Sequence, residues 1–182
     1  MWSGSIRRAL AALACALCFS FMAAPARANG EVASITFSPL HLILPVFEAQ
    51  AEFRLVPAVG LAVIGGFGSI TNHHIRFGVS EVGGQVAAYP LDDFRSLQLG
   101  AEVLWLHVNG ELGDVTGVAS GLAAGPFVGY KLIARQGFTF FIQGGTEYTF
   151  AHAEASNSTG ATASDSRSTW IVLFNLNLGW SF

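Results

Sequence analysis

From Trp170 to Phe182 every second side chain is large and apolar: Trp170, Val172, Phe174, Leu176, Leu178, Trp180 and Phe182. Asn175, Asn177, Gly179 and Ser181 stand between the later ones. No helix can use this pattern, because apolar residues at i, i+2 and i+4 wrap around a 3.6-residue turn instead of lining one side. A strand puts all of them on one face and the small and polar residues on the other. A strand this long, with one face wholly apolar, must turn that face toward a large core or toward hydrocarbon.

Composition decides between the two. Charged residues make up 12% of the chain and hydrophobic ones 52%, and that charge density is about half the ~25% usual in soluble domains. The first 28 residues read as a secretory signal peptide. Arg7 and Arg8 are followed by an apolar run from Ala9 to Ala24 and by the small-residue cleavage pattern Pro25-Ala26-Arg27-Ala28. The run falls short of the ~20 residues that a membrane helix needs. A lipoprotein cut before Cys15 or Cys18 fits less well: too little apolar chain follows Arg8 in the first case, and Leu17 is too large in the second.

Cleavage after Ala28 removes both cysteines and leaves one domain, 29–182, without disulfides or thiolate metal ligands. Three of the nine basic residues (Arg7, Arg8 and Arg27) leave with the signal, while all twelve acids remain. The mature chain is therefore acidic and has no basic patch for nucleic acid. Its longest apolar candidate, Val32 to Phe47, is interrupted by Ser34, Thr36, Ser38, Pro39, His41 and Pro45. An exported chain this apolar, without a spanning helix, distributes its apolar residues over alternating strands, half of them facing lipid.

The remaining segments fit that plan. Phe47, Ala49, Ala51, Phe53 and Leu55 alternate with Glu48, Gln50, Glu52 and Arg54. Val82 and Val86 alternate with Glu81 and Gln85, and Leu99, Val103 and Trp105 with Gln98, Gly100 and Glu102; Leu104 and Leu106 blur that last register. Further on, Leu122, Val128, Tyr130 and Leu132 alternate with Gly121, Gly129 and Lys131, and Phe138, Phe140 and Ile142 with Thr139 and Gln143. Short turns are expected at Pro90 to Arg95 and Ala134 to Gly137, and long polar loops at Thr71 to Arg76, Asn109 to Gly117 and His152 to Ser168. Val32 to Leu44 is a candidate first strand, although Pro39 and Pro45 interrupt it. Counting it gives eight strands, in keeping with the even strand number of single-chain bacterial barrels. The predicted fold is an eight-stranded antiparallel transmembrane β-barrel of up-and-down order, with both termini in the periplasm.

The final strand carries a more specific likeness. A terminal Phe182, with Trp180 and further large apolar residues at every second position before it, resembles the C-terminal signature of small bacterial outer-membrane β-barrel proteins, the OmpA-, OmpX- and OmpW-like group. The resemblance implies that the barrel-assembly machinery reads this strand, with Trp180 and Phe182 as the assembly signal, through strand addition at a sheet edge. It also implies residence in the cell outer membrane, outer-membrane lipids as partners, and a monomer.

The inward phase collects Glu48, Glu52, Arg54, Glu102, Lys131 and Glu147 as a candidate lumen charge network, together with Glu81, Gln85, Gln143, Asn175 and Asn177. A barrel of eight strands is just wide enough to be filled by its own side chains, so these groups are expected to pair and close it. A proton or cation path is the alternative use. Motifs for catalysis, cofactors or metals do not emerge: there is no P-loop, no Gly-x-Ser-x-Gly elbow and no His-Glu-x-x-His helix. His73-His74 lacks a third ligand, and Gly65-Gly66-Phe67-Gly68 lies in a strand. Asn157-Ser158-Thr159 matches a glycosylation acceptor, which carries little meaning for a bacterial surface protein. For lipid-A deacylation, found among barrels of this size, the best offering is His152 with Glu154 and Ser156, without the His-x-Ser spacing of those enzymes. The expected role is non-enzymatic, in the surface or structure of the envelope. Narrow or lateral passage of small apolar compounds, as in OmpW-like barrels, is the runner-up. A soluble lipocalin-type barrel is opposed by the low charge and by Phe182.

Overall fold

The computed structural model describes residues 30–43, 45–72, 75–91, 94–112, 115–157 and 162–182. The proposed signal peptide and the His73-His74 pair lie outside them. Eight antiparallel strands follow in sequence order: β1 (Ala33–Phe37), β2 (Val46–Val56), β3 (Val59–Asn72), β4 (Ile75–Ala88), β5 (Ser96–Leu112), β6 (Val115–Ile133), β7 (Phe138–Asn157) and β8 (Thr162–Ser181). Each pairs with the next, and β1 pairs with β8, so the sheet closes into a barrel. Where β1 and β8 pair, from Ser34↔Ser181 to Phe37↔Leu178, closure satisfies the backbone groups of both end strands, the condition for crossing a bilayer with strands.

The alternation sorts the side chains as the sequence predicts. Leu61, Val63, Val86, Val103, Leu122, Val128 and Val172 are apolar, outward and exposed, while Glu48, Gln50, Glu52, Gln85, Gln98, Glu102 and Gln143 are buried within. In water this inside-out arrangement would cost free energy on both counts; in hydrocarbon the outer face costs nothing. Two aromatic pairs mark levels on that face. Phe138 packs edge-on against Trp180 at 5.6 Å, and Tyr148 against Trp170 at 5.3 Å. At ~3.3 Å per residue and a tilt of about 40°, the interval from Phe138 to Tyr148 rises roughly 25 Å, the height of the apolar band on outer-membrane barrels. Among the described residues no helix is long and apolar enough to cross a membrane.

Three expectations need correction. The stretches expected as long loops are largely strand: β5 continues to Leu112 and β6 starts at Val115, β7 continues to Asn157 and β8 starts at Thr162, and β3 and β4 approach to Asn72 and Ile75. Ladder hydrogen bonds join backbones whatever the side chains, so polar hairpin tips stay paired after leaving the apolar zone. The first strand is shorter than Val32 to Leu44. It ends at Phe37, and a short helix, α1 (Pro39–Ile43), follows. Pro39 has no N–H to extend the ladder and suits a first helical turn. Leu104, which blurs the register in the sequence, obeys it in the barrel: its side chain points inward and packs with Ile64 and Ala123.

The short β1 makes the wall uneven. β1 meets β8 only from Ser34↔Ser181 to Phe37↔Leu178. Further out, α1 packs against β2 and β8 and covers this low side of the mouth.

Candidate functional site

The lumen is filled in three tiers. In the periplasmic tier Lys131, on β6, is 1% exposed. Its ammonium donates to Glu52 Oε2 on β2, and the other oxygen of Glu52 accepts the hydroxyl of Tyr89. The ammonium lies 3.9 Å from the ring centroid of Phe94 and 5.8 Å from those of Tyr89 and Phe141. A cation over aromatic faces gains from their quadrupoles, most strongly when dehydrated. Tyr89, Phe94, Phe127, Ile133 and Phe141 are all buried in one cluster. Glycines of the inward phase make room for them. A Cβ at Gly60 would lie 2.4 Å from the Tyr89 hydroxyl, one at Gly100 2.4 Å from the Phe127 ring, and one at Gly129 2.5 Å from the Phe141 ring.

The middle tier is an amide and carboxylate network. Gln50 Nε2 donates to Gln85 Oε1 at 2.9 Å, and Asn177 Nδ2 to Gln50 Oε1 at 3.2 Å. Gln85 Nε2 donates to Gln143 Oε1 at 3.1 Å and also to Glu102 Oε2, which takes a further 3.2 Å bond from Gln143. Strands β2, β4, β5, β7 and β8, on both sides of the barrel, are thereby tied through its axis. Glu147 is buried near this tier, and its Oε1 has no hydrogen-bond donor among the described residues.

In the outer tier Glu48 and Glu81 are buried beneath His41 of α1. Asn175 Nδ2 donates to Glu48 Oε1 at 2.7 Å, and His41 Nε2 stands 3.4 Å from Glu48 Oε2.

The predicted lumen charges are thus placed as follows. Glu48, Glu52, Glu102, Lys131 and Glu147 are buried inside. Arg54 is at the periplasmic rim, where its guanidinium donates to the Pro57 carbonyl at 3.2 and 3.1 Å. So close to the β2–β3 turn there is no lumen left for it to enter. Trp180, on β8, stands near the same rim, and its indole N–H donates to the Gln136 carbonyl at 2.6 Å. Phe182 closes the seam through its backbone, accepting from Val32 and Ala33 at 2.6 and 3.2 Å and donating to Ala33 at 2.8 Å.

Sequence reasoning missed Tyr89, Phe94, Phe141 and His41. Phe94 lies in the stretch Pro90 to Arg95 that reads as a turn and Tyr89 directly before it, yet both side chains are buried beside Lys131. Phe141 occupies the inward phase, and Gly129, diagonal to it across the β6–β7 ladder, was the available signal. His152 and Glu154 do come together on β7, with 3.3 Å between Nε2 and Oε1, but the serine beside the ring is Ser166 of β8, at 2.7 Å from Nδ1, and not Ser156.

No family model matches the chain, and no curated protein matches it. Among solved structures, the fold is similar to the crystal structure of CarO from Acinetobacter baumannii, at 10% identity and a TM-score of 0.46 over 84% of this chain and 98% of that one. It is also similar to a major outer membrane protein from Thermus thermophilus, at 11% identity and a TM-score of 0.45 over 82% and 99% of the two chains. The closed ring, the apolar band with its aromatic levels and the polar, filled lumen together define a small outer-membrane β-barrel protein. The outer membrane is where such a barrel resides.

Proposed function

We propose that this barrel has a non-enzymatic, structural role in the outer envelope: a closed monomeric cylinder, inserted by the barrel-assembly machinery, held by outer-membrane lipids and presenting its long hairpins outside. The observation that carries this reading is the periplasmic tier, in which Lys131, Glu52, Tyr89 and the surrounding rings occupy the lumen with almost no exposure. Passage along the axis would require that tier to open. The purified protein in planar bilayers should therefore show no sustained conductance. Large steady conductance from the wild-type protein would replace this reading with transport.

One observation favours a second reading, hydrolysis of an acyl ester in the outer leaflet. Ser166, His152 and Glu154 make a contiguous hydroxyl–imidazole–carboxylate line on the outer face, beyond the Tyr148–Trp170 pair. That order of groups is what activates a serine. Here, however, the Glu154 side chain is 73% exposed, so it orients the ring weakly. Lipid A from cells producing the wild type and Ser166→Ala should have identical mass spectra under the structural reading. Loss of an acyl chain only with the wild type would establish the enzyme.

A further inference from the structure

The outer tier has a geometry that side-chain packing alone leaves unexplained. Glu48 on β2 and Glu81 on β4 both pair with Gly66 of β3, so the three stand on one rung with the glycine in the middle. A Cβ at position 66 would lie 2.1 Å from Glu81 Oε1 and 2.8 Å from its Cδ. The Glu81 carboxyl therefore lies across the glycine, in the space between the two acidic strands. Both glutamates are buried, Glu81 at 9% exposure, and no donor among the described residues reaches Glu81 Oε1. A buried carboxylate oxygen aimed toward a second carboxylate, with no proton donor, loses solvation and gains repulsion.

The third member closes the arrangement from above. A ring nitrogen of His41 and carboxylate oxygens of Glu48 and Glu81 all lie within 4.8 Å of one another, and Nε2 is the nitrogen 3.4 Å from Glu48 Oε2. The protonation of His41 can be followed from a backbone amide. Leu176 N–H donates to Asn175 Oδ1 at 2.8 Å, which fixes the orientation of that side-chain amide. Asn175 Nδ2 then faces Glu48, and Oδ1 accepts the single hydroxyl hydrogen of Ser38 at 2.7 Å. Ser38 Oγ has only lone pairs left for His41 Nδ1, 2.9 Å away, so Nδ1 carries a hydrogen. In the neutral ring Nε2 is therefore a lone pair, facing the Glu48 carboxylate with that of Glu81 close by. This is the outer-shell pattern of metal-ligating histidines, in which the second ring nitrogen donates to a fixed acceptor and a ligating carboxylate is itself held by a hydrogen bond.

We propose that His41, Glu48 and Glu81 bind one first-row divalent transition-metal ion at the outer mouth of the lumen. One imidazole nitrogen with two carboxylate oxygens suits zinc, iron, cobalt or manganese, whereas calcium and magnesium favour sets made of oxygen alone. Ligand distances near ~2.0–2.2 Å are reached by small rotations of the three side chains, because His41 lies on α1, outside the ladder. The ion would join α1 to β2 and β4 and hold the cap over the low side of the barrel. The competing arrangement is a doubly protonated His41 in an ion pair with the same acids, with no metal.

The test uses the whole mature protein, folded in detergent, freed of metal with a chelator and titrated with Zn2+. One equivalent should bind with a dissociation constant in the micromolar range or tighter and should raise the temperature of the folded-to-unfolded gel shift. His41→Gln and Glu81→Gln should each weaken binding at least tenfold, and His107→Ala, stacked on Trp105 elsewhere, should leave it unchanged. Because His41 makes no ladder bond, His41→Gln should still migrate as a folded barrel before heating. Co2+ should give visible absorption bands with the wild type that disappear in His41→Gln. Equal Zn2+ affinity in the wild type and His41→Gln would overturn the site. So would a wild type that binds no Zn2+ and shows a doubly protonated His41 ring by nitrogen NMR at neutral pH, which would establish the ion pair instead.

Discussion

Replacing Lys131 by methionine isolates one charge, because methionine keeps the length of the side chain and its fit among Phe94, Tyr89 and Phe141. What disappears is the ammonium, and Glu52, 4% exposed, is left with the Tyr89 hydroxyl as its hydrogen-bond partner in this tier. A buried pair that loses one member typically costs ~3–5 kcal/mol, because the other charge stays desolvated and uncompensated. For a chain of this size about 2–4 °C accompanies each kcal/mol, so the thermal midpoint should fall by roughly 6–20 °C. Heating before semi-native electrophoresis reads the change directly as the temperature at which the folded band is lost. Glu52→Gln with Lys131→Met removes both charges and should regain much of the loss. The two single effects should then exceed the double effect by well over the ~0.5 kcal/mol expected of independent sites. A Lys131→Met protein within about 1 kcal/mol of wild type would refute the argument, since it would mean that water already solvates Glu52 and that the tier is not closed.

Three further outcomes test other parts of the structure. Deleting Phe182 removes three backbone hydrogen bonds from the β1–β8 seam, while Phe182→Asp keeps them and changes only the apolar terminus; pulse-chase assembly should be impaired by both, and normal assembly of the Asp variant would assign the effect to the backbone alone. Gly129→Ala should cost ~1–3 kcal/mol by overpacking, because the Phe141 ring it meets is 1% exposed and has nowhere to move; an unchanged gel-shift midpoint would contradict the seating of that ring. At the periplasmic rim, partial burial pushes the Glu31 carboxyl up, but the Arg95 hydrogen bond, a backbone hydrogen bond and the charges of Arg95 and Arg54 outweigh it and hold the group below its ordinary 4.5. A lowered folded value contributes stability above pH 4.5 that is lost as pH falls through the folded value. The exposed pair is worth only ~0.2–1 kcal/mol, so Glu31→Gln should be slightly less stable than wild type at pH 7, and the two should converge as the pH falls through the folded value of the Glu31 carboxyl.

How much of this could be read beforehand differs by feature. Inward and outward faces follow from period-two alternation, since a strand forces neighbouring side chains to opposite faces, while the count of eight also needed the even strand number of single-chain barrels. The limits of strands were less legible. Ser, Thr and Asn mark loops in soluble proteins, but in β7 and β8 they continue a ladder beyond the lipid, where side-chain polarity has no bearing on backbone pairing. The lumen acids were identifiable as a set. Which of them meets a cation was not, because Arg54 and Lys131 share the inward phase, and their depth along the axis separates a rim residue from a buried one.

Alternation and low charge therefore point by themselves to strands with one face in lipid, because local geometry and the hydrophobic effect act on neighbours in sequence. Tertiary structure decides the rest. Lys131 meets Glu52 through closure of the sheet, Tyr89 and Phe94 from either end of the β4–β5 connection are buried beside them, and His41 comes over Glu48 and Glu81 because β1 is short. These contacts join positions far apart in the chain, and their partners are set by strand register and shear, which no local pattern encodes.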